Sequence, residues 1–466
     1  MTRPAPRRAV LAAALATAAT VAVVDPARAS AAPHSATAGR PAHPADTAPA
    51  PQDAPVDYHS WTTYTDWRCG AGHGTLVVPG RRPGIAVGHP AGTTSYTDPH
   101  TSTTADYEYA VWTSPRHQLR FGASQLVASW NAATPEGTWI QVEMGGTYSD
   151  GTATPWYVMG RWTSGDSDAD IRRTSLDGQD DGKSNIGTDT FAIDDASTGL
   201  RLTAYQLRVT LYRKPGDQAS PIVWRVGAMA SDIPDRFTVP ASTPGDAAGI
   251  ELPVPTFSQD IHKGQYPQYD NGGEAWCSPT SSSMVVKYWG RGPSQAQLAW
   301  VDPTYADPEV DYAARYTYDY QYEGCGNWPF NAAYAASWPD MEGVVTRLHS
   351  LNDIEHLIKH GIPVITSQSF IASDLDGANY STSGHLMCIA GFTADGDVVA
   401  HDPASSDDAA VRNVYRRAQF ETVWLRTQRI NATGGVSSGS GGVVYVYFPT
   451  DITPVQRLAL AGVGIR

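Results

Sequence analysis

The sequence predicts two folded domains in series, an all-β sandwich followed by an α+β domain. Three observations predict it. From Tyr58 to Ala230 apolar and polar side chains alternate with a period of two, the period of strands with one buried face. Between residues 232 and 250 the alternation stops, and Pro234, Pro240, Pro244, Gly245 and Gly249 mark a linker. From Pro253 onward helical runs come first and antiparallel strands follow, which is the order of an α+β domain.

At the start of the chain, Arg3, Arg7 and Arg8 precede an apolar run from Ala9 to Val24, and a small-x-small site follows at Ala27-Arg28-Ala29. A basic segment, a short apolar run and such a site make a secretory signal peptide over residues 1–29. The run is too short and too alanine-rich for an anchor, and no other stretch is apolar enough to span a bilayer. The mature protein is therefore expected to be secreted and extracellular, with the Arg7-Arg8 pair leaving the export route open. Residues 30–56 are Ala, Pro, Thr, His and Asp with almost no large apolar side chains, which predicts a disordered linker.

The sandwich spans residues 57–231. Tyr205, Leu207, Val209 and Leu211 alternate with Gln206, Arg208 and Thr210, and Ile140, Val142 and Met144 alternate with Gln141 and Glu143. Leu126–Trp130, Trp156–Met159 and Ile222–Val226 read as further strands, separated by turns such as Ser149-Asp150-Gly151. No helical pattern is seen among them. In the second domain, residues 251–466, helices are expected at Ser278–Trp289, Glu309–Tyr320, Asn331–Ser337, Asn352–His360 and Arg417–Trp424. Strands are expected at Met341–Leu348, Ile362–Ser367, Gly384–Phe392, Val398–Asp402 and Val443–Phe448.

Composition narrows the function. The 466-residue chain is 17% charged with a net charge of −14, which argues against an electrostatic grip on nucleic acid or on an anionic membrane. Its 43 Gly and 34 Pro and its 10% of aromatic residues suit turn-rich extracellular domains. The four cysteines are Cys69, Cys277, Cys325 and Cys388. Cys388 reads as a buried strand residue, so Cys69–Cys325 is the one bridge compatible with a free Cys277.

Cys277 carries the chemistry in this reading. A cysteine nucleophile needs a stabilised thiolate, a base, and donors for the oxyanion. Cys277 precedes a helix, whose N-terminal dipole and free N–H groups favour a thiolate. Pro279 fits the first turn, Ser278 and Thr280 can satisfy the unpaired donors, and Met284, Val285 and Tyr288 give the helix a buried face. His385, after Gly384, opens an apolar strand and is the expected base. Asp402 ends the strand that returns across the Asp395-Gly396 turn, so a hairpin sets its carboxylate beside His385. His401 faces the other way.

The order Cys at a helix start, then Gly384-His385, then Asp402-Pro403 resembles papain-fold cysteine peptidases, and above all the bacteriocin-processing (double-glycine leader) peptidase-like family in its secreted bacterial form. The resemblance covers roughly residues 250–450. It implies a papain-like domain in which Cys277, His385 and Asp402 form the triad that cleaves peptide bonds, without metal or organic cofactor. It also implies an oxyanion-stabilising glutamine in a segment like Val254-Pro255-Thr256-Phe257-Ser258-Gln259, which suggests Gln259, with Gln268 the next candidate. A glycine commonly follows the family's cysteine; Ser278 stands there in this chain. The transporter domains of the processing peptidases are absent from this sequence, so leader processing during export does not carry over.

The expected partner is a peptide or protein substrate. The same site would serve peptidoglycan amide bonds, with the sandwich holding the enzyme on the wall. A reading from another class is a non-catalytic adhesion or carbohydrate-binding protein led by the sandwich, whose aromatics, such as Trp139 and Trp162, could stack on sugar rings. Asp166, Asp168, Asp170 and Asp177 look faintly like a calcium loop, but Ile171 stands at the glycine position and no Glu closes it, so a solvated turn is expected.

Overall fold

The computed structural model describes residues 55–466. The expected signal peptide, and the expected linker as far as residue 54, lie outside the described residues. Val56 already belongs to the strand Val56–Trp61, so the linker expectation ran into the first strand.

The N-terminal region holds two seven-stranded sheets. In one, Leu202–Arg213 pairs with Trp139–Tyr148, Thr104–Thr113 and His117–Ala123, all antiparallel. In the other, Ile222–Ser231 pairs with Gln125–Ala133, Val56–Trp61 and Gly84–Val87. Leu207, Val209 and Leu211 are buried together with Ile140, Val142 and Met144, as the period of two requires. The ring of Trp61 meets that of Tyr205 edge-on between the sheets. A short helix, Tyr64–Cys69, breaks the run of strands where none was expected; Thr63 and Asp66 form a capping box at its start.

Two strands depart from simple alternation. Gln125–Ala133 and Ile222–Ser231 are buried almost without interruption, which happens when both faces of a sheet are covered. The cover comes from the second half of the chain: Met341–Arg347 and the helix Trp328–Ala336 lie against these strands. Phe330 inserts its ring between Trp130 and Trp162. Asn131 and Gly343 exchange hydrogen bonds, side-chain amide to carbonyl at 2.7 Å and back at 3.3 Å. A Cβ at Gly343 would stand 2.1 Å from the Ala332 carbonyl, so only glycine lets helix and strand approach this closely.

Buried charge crosses the same seam. Arg225 meets Glu342 at 2.8 Å, and Arg347 donates to Ser231 and Gln125, each at 2.7 Å. Asp166 accepts from the Arg315 guanidinium at 2.9 Å and from the Tyr320 hydroxyl at 3.1 Å. This corrects the solvated-turn expectation for two of the aspartates: Asp166 and Asp170 are buried, whereas Asp168 and Asp177 are exposed. Among the described residues no group of three or more His, Cys, Asp or Glu could hold a metal.

Trp139 and Trp162 are 2% and 0% exposed, so neither can stack on a sugar, and the carbohydrate platform built on them is withdrawn. Trp139 instead stacks on Tyr212 at 3.7 Å. Period-two patterning identifies the strand but not whether its outer face is open, which explains the error. All four cysteines are free, with Cys69 exposed and Cys325 buried, so the Cys69–Cys325 bridge is not formed.

Residues 232–250 carry little regular structure yet lie along the second half of the chain. Arg236 donates to the Leu425 carbonyl, Ser242 to Glu421, and Gly245 to Glu355. Beyond them stands a six-stranded antiparallel sheet in the order Met341–Arg347, Val443–Pro449, Val364–Phe370, Thr382–Phe392, Val398–His401, Arg412–Tyr415. Its faces separate cleanly. Leu386, Cys388, Tyr445 and Tyr447 join the core of the helices Cys277–Tyr288 and Trp328–Ala336, which is continuous with that of the N-terminal sheets. Met387, Ile389, Val444 and Val446 pack under Leu351–Lys359, Arg417–Leu425 and Pro454–Gly462. No helix among the described residues is long and apolar enough to cross a membrane.

Candidate active site

The serine run after Cys277 explains how its helix is held. Ser278 shares a hydrogen bond with the Tyr445 hydroxyl at 3.1 Å, Ser281 donates to the Leu386 carbonyl at 3.1 Å, and Ser282 bonds Tyr447 at 3.0 Å. These short side chains let the helix lie close to the sheet while pairing its buried hydroxyls. The capping expectation is corrected: the helix has no side-chain cap, Ser278 turns into the core, and the Thr280 hydroxyl has no partner. Cys277 opens the helix and stays partly accessible.

His385 sits on Thr382–Phe392, and Ser281, donating to the Leu386 carbonyl, ties that strand to the Cys277 helix. The His385 Nε2 lies 2.8 Å from Asp402 Oδ1, leaving the other ring nitrogen for the Cys277 thiol, which interacts electrostatically with the ring. Asp402 follows the strand Val398–His401, whose register pairs His401 with Cys388. The turn before it closes with Gly396 at φ 85°, a left-handed position that suits glycine. Hence Cys277, His385 and Asp402 are brought together, and His401 is not: its Nδ1 lies 3.3 Å from the Pro255 carbonyl.

Asp402 is unusually well supplied with donors. Tyr415 donates to Oδ2 at 2.6 Å, Tyr380 reaches Oδ2 at 3.0 Å, and the Ala404 amide donates to Oδ1 at 3.0 Å. Burial raises the carboxyl's pKa, but His385 and the two tyrosines outweigh it and hold the group below the usual carboxylate range. For His385, burial opposes the charge, while Asp402 and then the Cys277 thiol favour it, so the ring is pushed up to about 10. Burial and the Asp402 charge push both tyrosine hydroxyls up.

Gln259 is buried, and its Nε2 donates to the Glu274 carbonyl at 2.7 Å, just upstream of Cys277. Its own amide donates to the Pro403 carbonyl at 2.9 Å, which links it to the segment following Asp402. A Cβ at Gly273 would meet the Gln259 carbonyl at 2.1 Å, so a glycine is required where the two loops touch. Gln265 is committed to His262 and Ile261, and Gln268 is exposed.

Sequence reasoning missed Tyr380, Tyr415 and Gln368. Tyr415 stands on a short edge strand and Tyr380 in an aperiodic loop, so neither left a pattern to find. Gln368 pairs across the sheet with His385, is fully buried, and has no partner for either amide atom.

The site thus combines a partly accessible cysteine at a helix start with a buried histidine backed by an aspartate. Residues 57–231 match the family model of the peptidase C39 N-terminal domain, and residues 251–432 match that of the peptidase C39-like family. The chain belongs to the C39-like peptidases, with an N-terminal accessory domain ahead of the peptidase domain. It is similar to a C39-like peptidase from Bacillus anthracis known from a crystal structure, at 15% identity and a TM-score of 0.27, over 44% of this chain and 98% of that one. No curated protein matches it.

Proposed function

We propose that this chain is a secreted cysteine peptidase whose papain-like domain, residues 251–466, hydrolyses peptide bonds, with residues 57–231 as a β-sandwich accessory domain. The observation that supports the reading is the buried His385–Asp402 contact at 2.8 Å, on a ring that also interacts with the Cys277 thiol. His385 takes the thiol proton, and the thiolate attacks the scissile carbonyl carbon. The second N–H of the Gln259 amide, its first being donated to Glu274, stabilises the oxyanion together with the Cys277 amide. His385 then protonates the leaving amine, and an acyl thioester remains on Cys277. Water, giving its proton to His385, cleaves that thioester and restores the thiol. Asp402 keeps the ring oriented throughout.

The test is hydrolysis of a peptide library by the full chain and by Cys277→Ala. Loss of all cleavage in the variant, with iodoacetamide labelling of the wild type concentrated on Cys277, is the expected result. Unchanged cleavage, or preferential labelling elsewhere, would overturn the mechanism.

A further inference from the structure

A second buried histidine–carboxylate pair lies beneath the oxyanion loop. His262 closes the turn that follows Gln259, and its amide donates to the Gln259 carbonyl at 3.1 Å. Its Nδ1 lies 2.9 Å from Gln265 Oε1 and 3.2 Å from Asp311 Oδ2. Both His262 and Asp311 side chains are fully buried. On its other side the His262 ring packs against Trp276, the residue before Cys277, with centroids 6.0 Å apart. Trp276 is fixed in turn by its indole N–H, which donates to the Tyr269 carbonyl at 2.6 Å. Asp311 belongs to the helix Pro308–Thr317, which packs on the Cys277 helix and is bonded to it by Ser283 and Lys287 through Glu309.

One imidazole therefore touches the three things that set the gap between Gln259 and Cys277. These are the turn carrying Gln259, the residue preceding Cys277, and the helix that braces the Cys277 helix. We propose that His262 and Asp311 form a positioning pair that holds Gln259 and the Cys277 amide at the separation the oxyanion requires. This rests on the reading of Gln259 as an oxyanion donor. The pair touches no reacting atom. Its effect is geometric, and an error of about 1 Å in such placement can cost on the order of 100-fold in rate.

Alkylation separates this role from that of the triad. Iodoacetamide needs the Cys277 thiolate and no oxyanion donor, whereas peptide hydrolysis needs both. His262→Phe keeps a ring against Trp276 and removes Nδ1; Asp311→Leu removes the carboxylate 3.2 Å from Nδ1; His262→Asn restores a donor near the Nδ1 position. For the full chain, kcat for peptide cleavage should fall about 10-fold to 100-fold in His262→Phe and Asp311→Leu. KM and the alkylation rate of Cys277 should stay within about twofold, and His262→Asn should regain most of kcat. Unchanged kcat, a parallel fall in alkylation, loss of cooperative melting in both variants, or no recovery in His262→Asn would each overturn the proposal. A wild type that is alkylated at Cys277 yet cleaves no peptide would refute the peptidase reading itself, and this inference with it.

Discussion

His385–Asp402 and His262–Asp311 are the same two residue types, both buried, within one domain, yet their carboxyls shift in opposite directions. Burial raises the pKa of each. At Asp402 the imidazole, two tyrosine hydroxyls and a backbone amide more than reverse that. At Asp311 His262 opposes the burial effect without overcoming it, and the carboxyl stays above its ordinary value. Neither carboxylate oxygen of Asp311 has a hydrogen-bond partner; its nearest polar contact is His262 Nδ1 at 3.2 Å. Donors, not depth, decide which buried carboxylate keeps its charge. The pair rich in donors is the one that meets the cysteine.

The comparison can be broken most directly at Asp402. Asp402→Asn keeps the shape and removes the charge that holds the His385 proton. We expect kcat to fall about 100-fold to 10,000-fold, the range for losing general acid–base help, in a steady-state assay against the wild type. A fall below tenfold would mean that the tyrosines and the amide orient the ring without the charge. Tyr415→Phe removes the shortest of the donor contacts. A hydrogen bond to a charged group contributes about 1.5–3 kcal/mol, so Asp402 should become easier to protonate and the acid limb of the activity profile should move to higher pH. A profile superimposable on the wild type would show that Tyr380 and Ala404 suffice.

The pH dependence of stability has a definite sign. His385 is raised from 6.5 to about 10 on folding, so the folded chain binds the extra proton. Its contribution is complete below about 6.5 and is lost as pH rises toward about 10. Asp402 is lowered from 3.8, so its contribution is present above that value and lost as pH falls through the lower folded value. The wild-type Tm should therefore decline between about pH 7 and pH 10 more steeply than that of His385→Gln. Parallel curves would deny the imidazolium any part in stability.

The smallest effect is expected opposite His385. Gln368 is buried with both amide atoms unpartnered, and such a group costs about 1–3 kcal/mol. Gln368→Leu should raise Tm by a few degrees. A drop in Tm would mean that the amide is satisfied, with ordered water the natural candidate.

The grouping of Cys277, His385 and Asp402 was legible because its parts are local. Cys277 announces itself before a helix pattern, and the His385–Asp402 hairpin is written across the Asp395-Gly396 turn. Gln259 needed a family resemblance to suggest it, since nothing periodic links it to Cys277. His262 and Asp311 come from a turn and a helix whose contact is purely tertiary, and no spacing records it. Tyr415 failed for a related reason: the edge strand Arg412–Tyr415 is four residues long, too short for a period to emerge. The misreadings of Trp139, Trp162 and Asp166 share one limit: local pattern does not record what tertiary structure lays over a residue. Trp139 is covered by Tyr96, Tyr107 and Tyr212 of its own region, whereas Phe330 covers Trp162 and Arg315 and Tyr320 reach Asp166 from the second half of the chain.

The seam between the two halves has a consequence for how the protein can be inherited. Arg225 and Glu342, Arg347 and Ser231, and Asn131 and Gly343 are matched across the seam as closely as partners within either half. A recombination event that exchanged one half alone would leave an unpaired guanidinium facing buried apolar surface, at a cost of several kcal/mol. The accessory region and the peptidase region should therefore travel through evolution as a couple, their seam residues changing in concert, rather than as interchangeable modules.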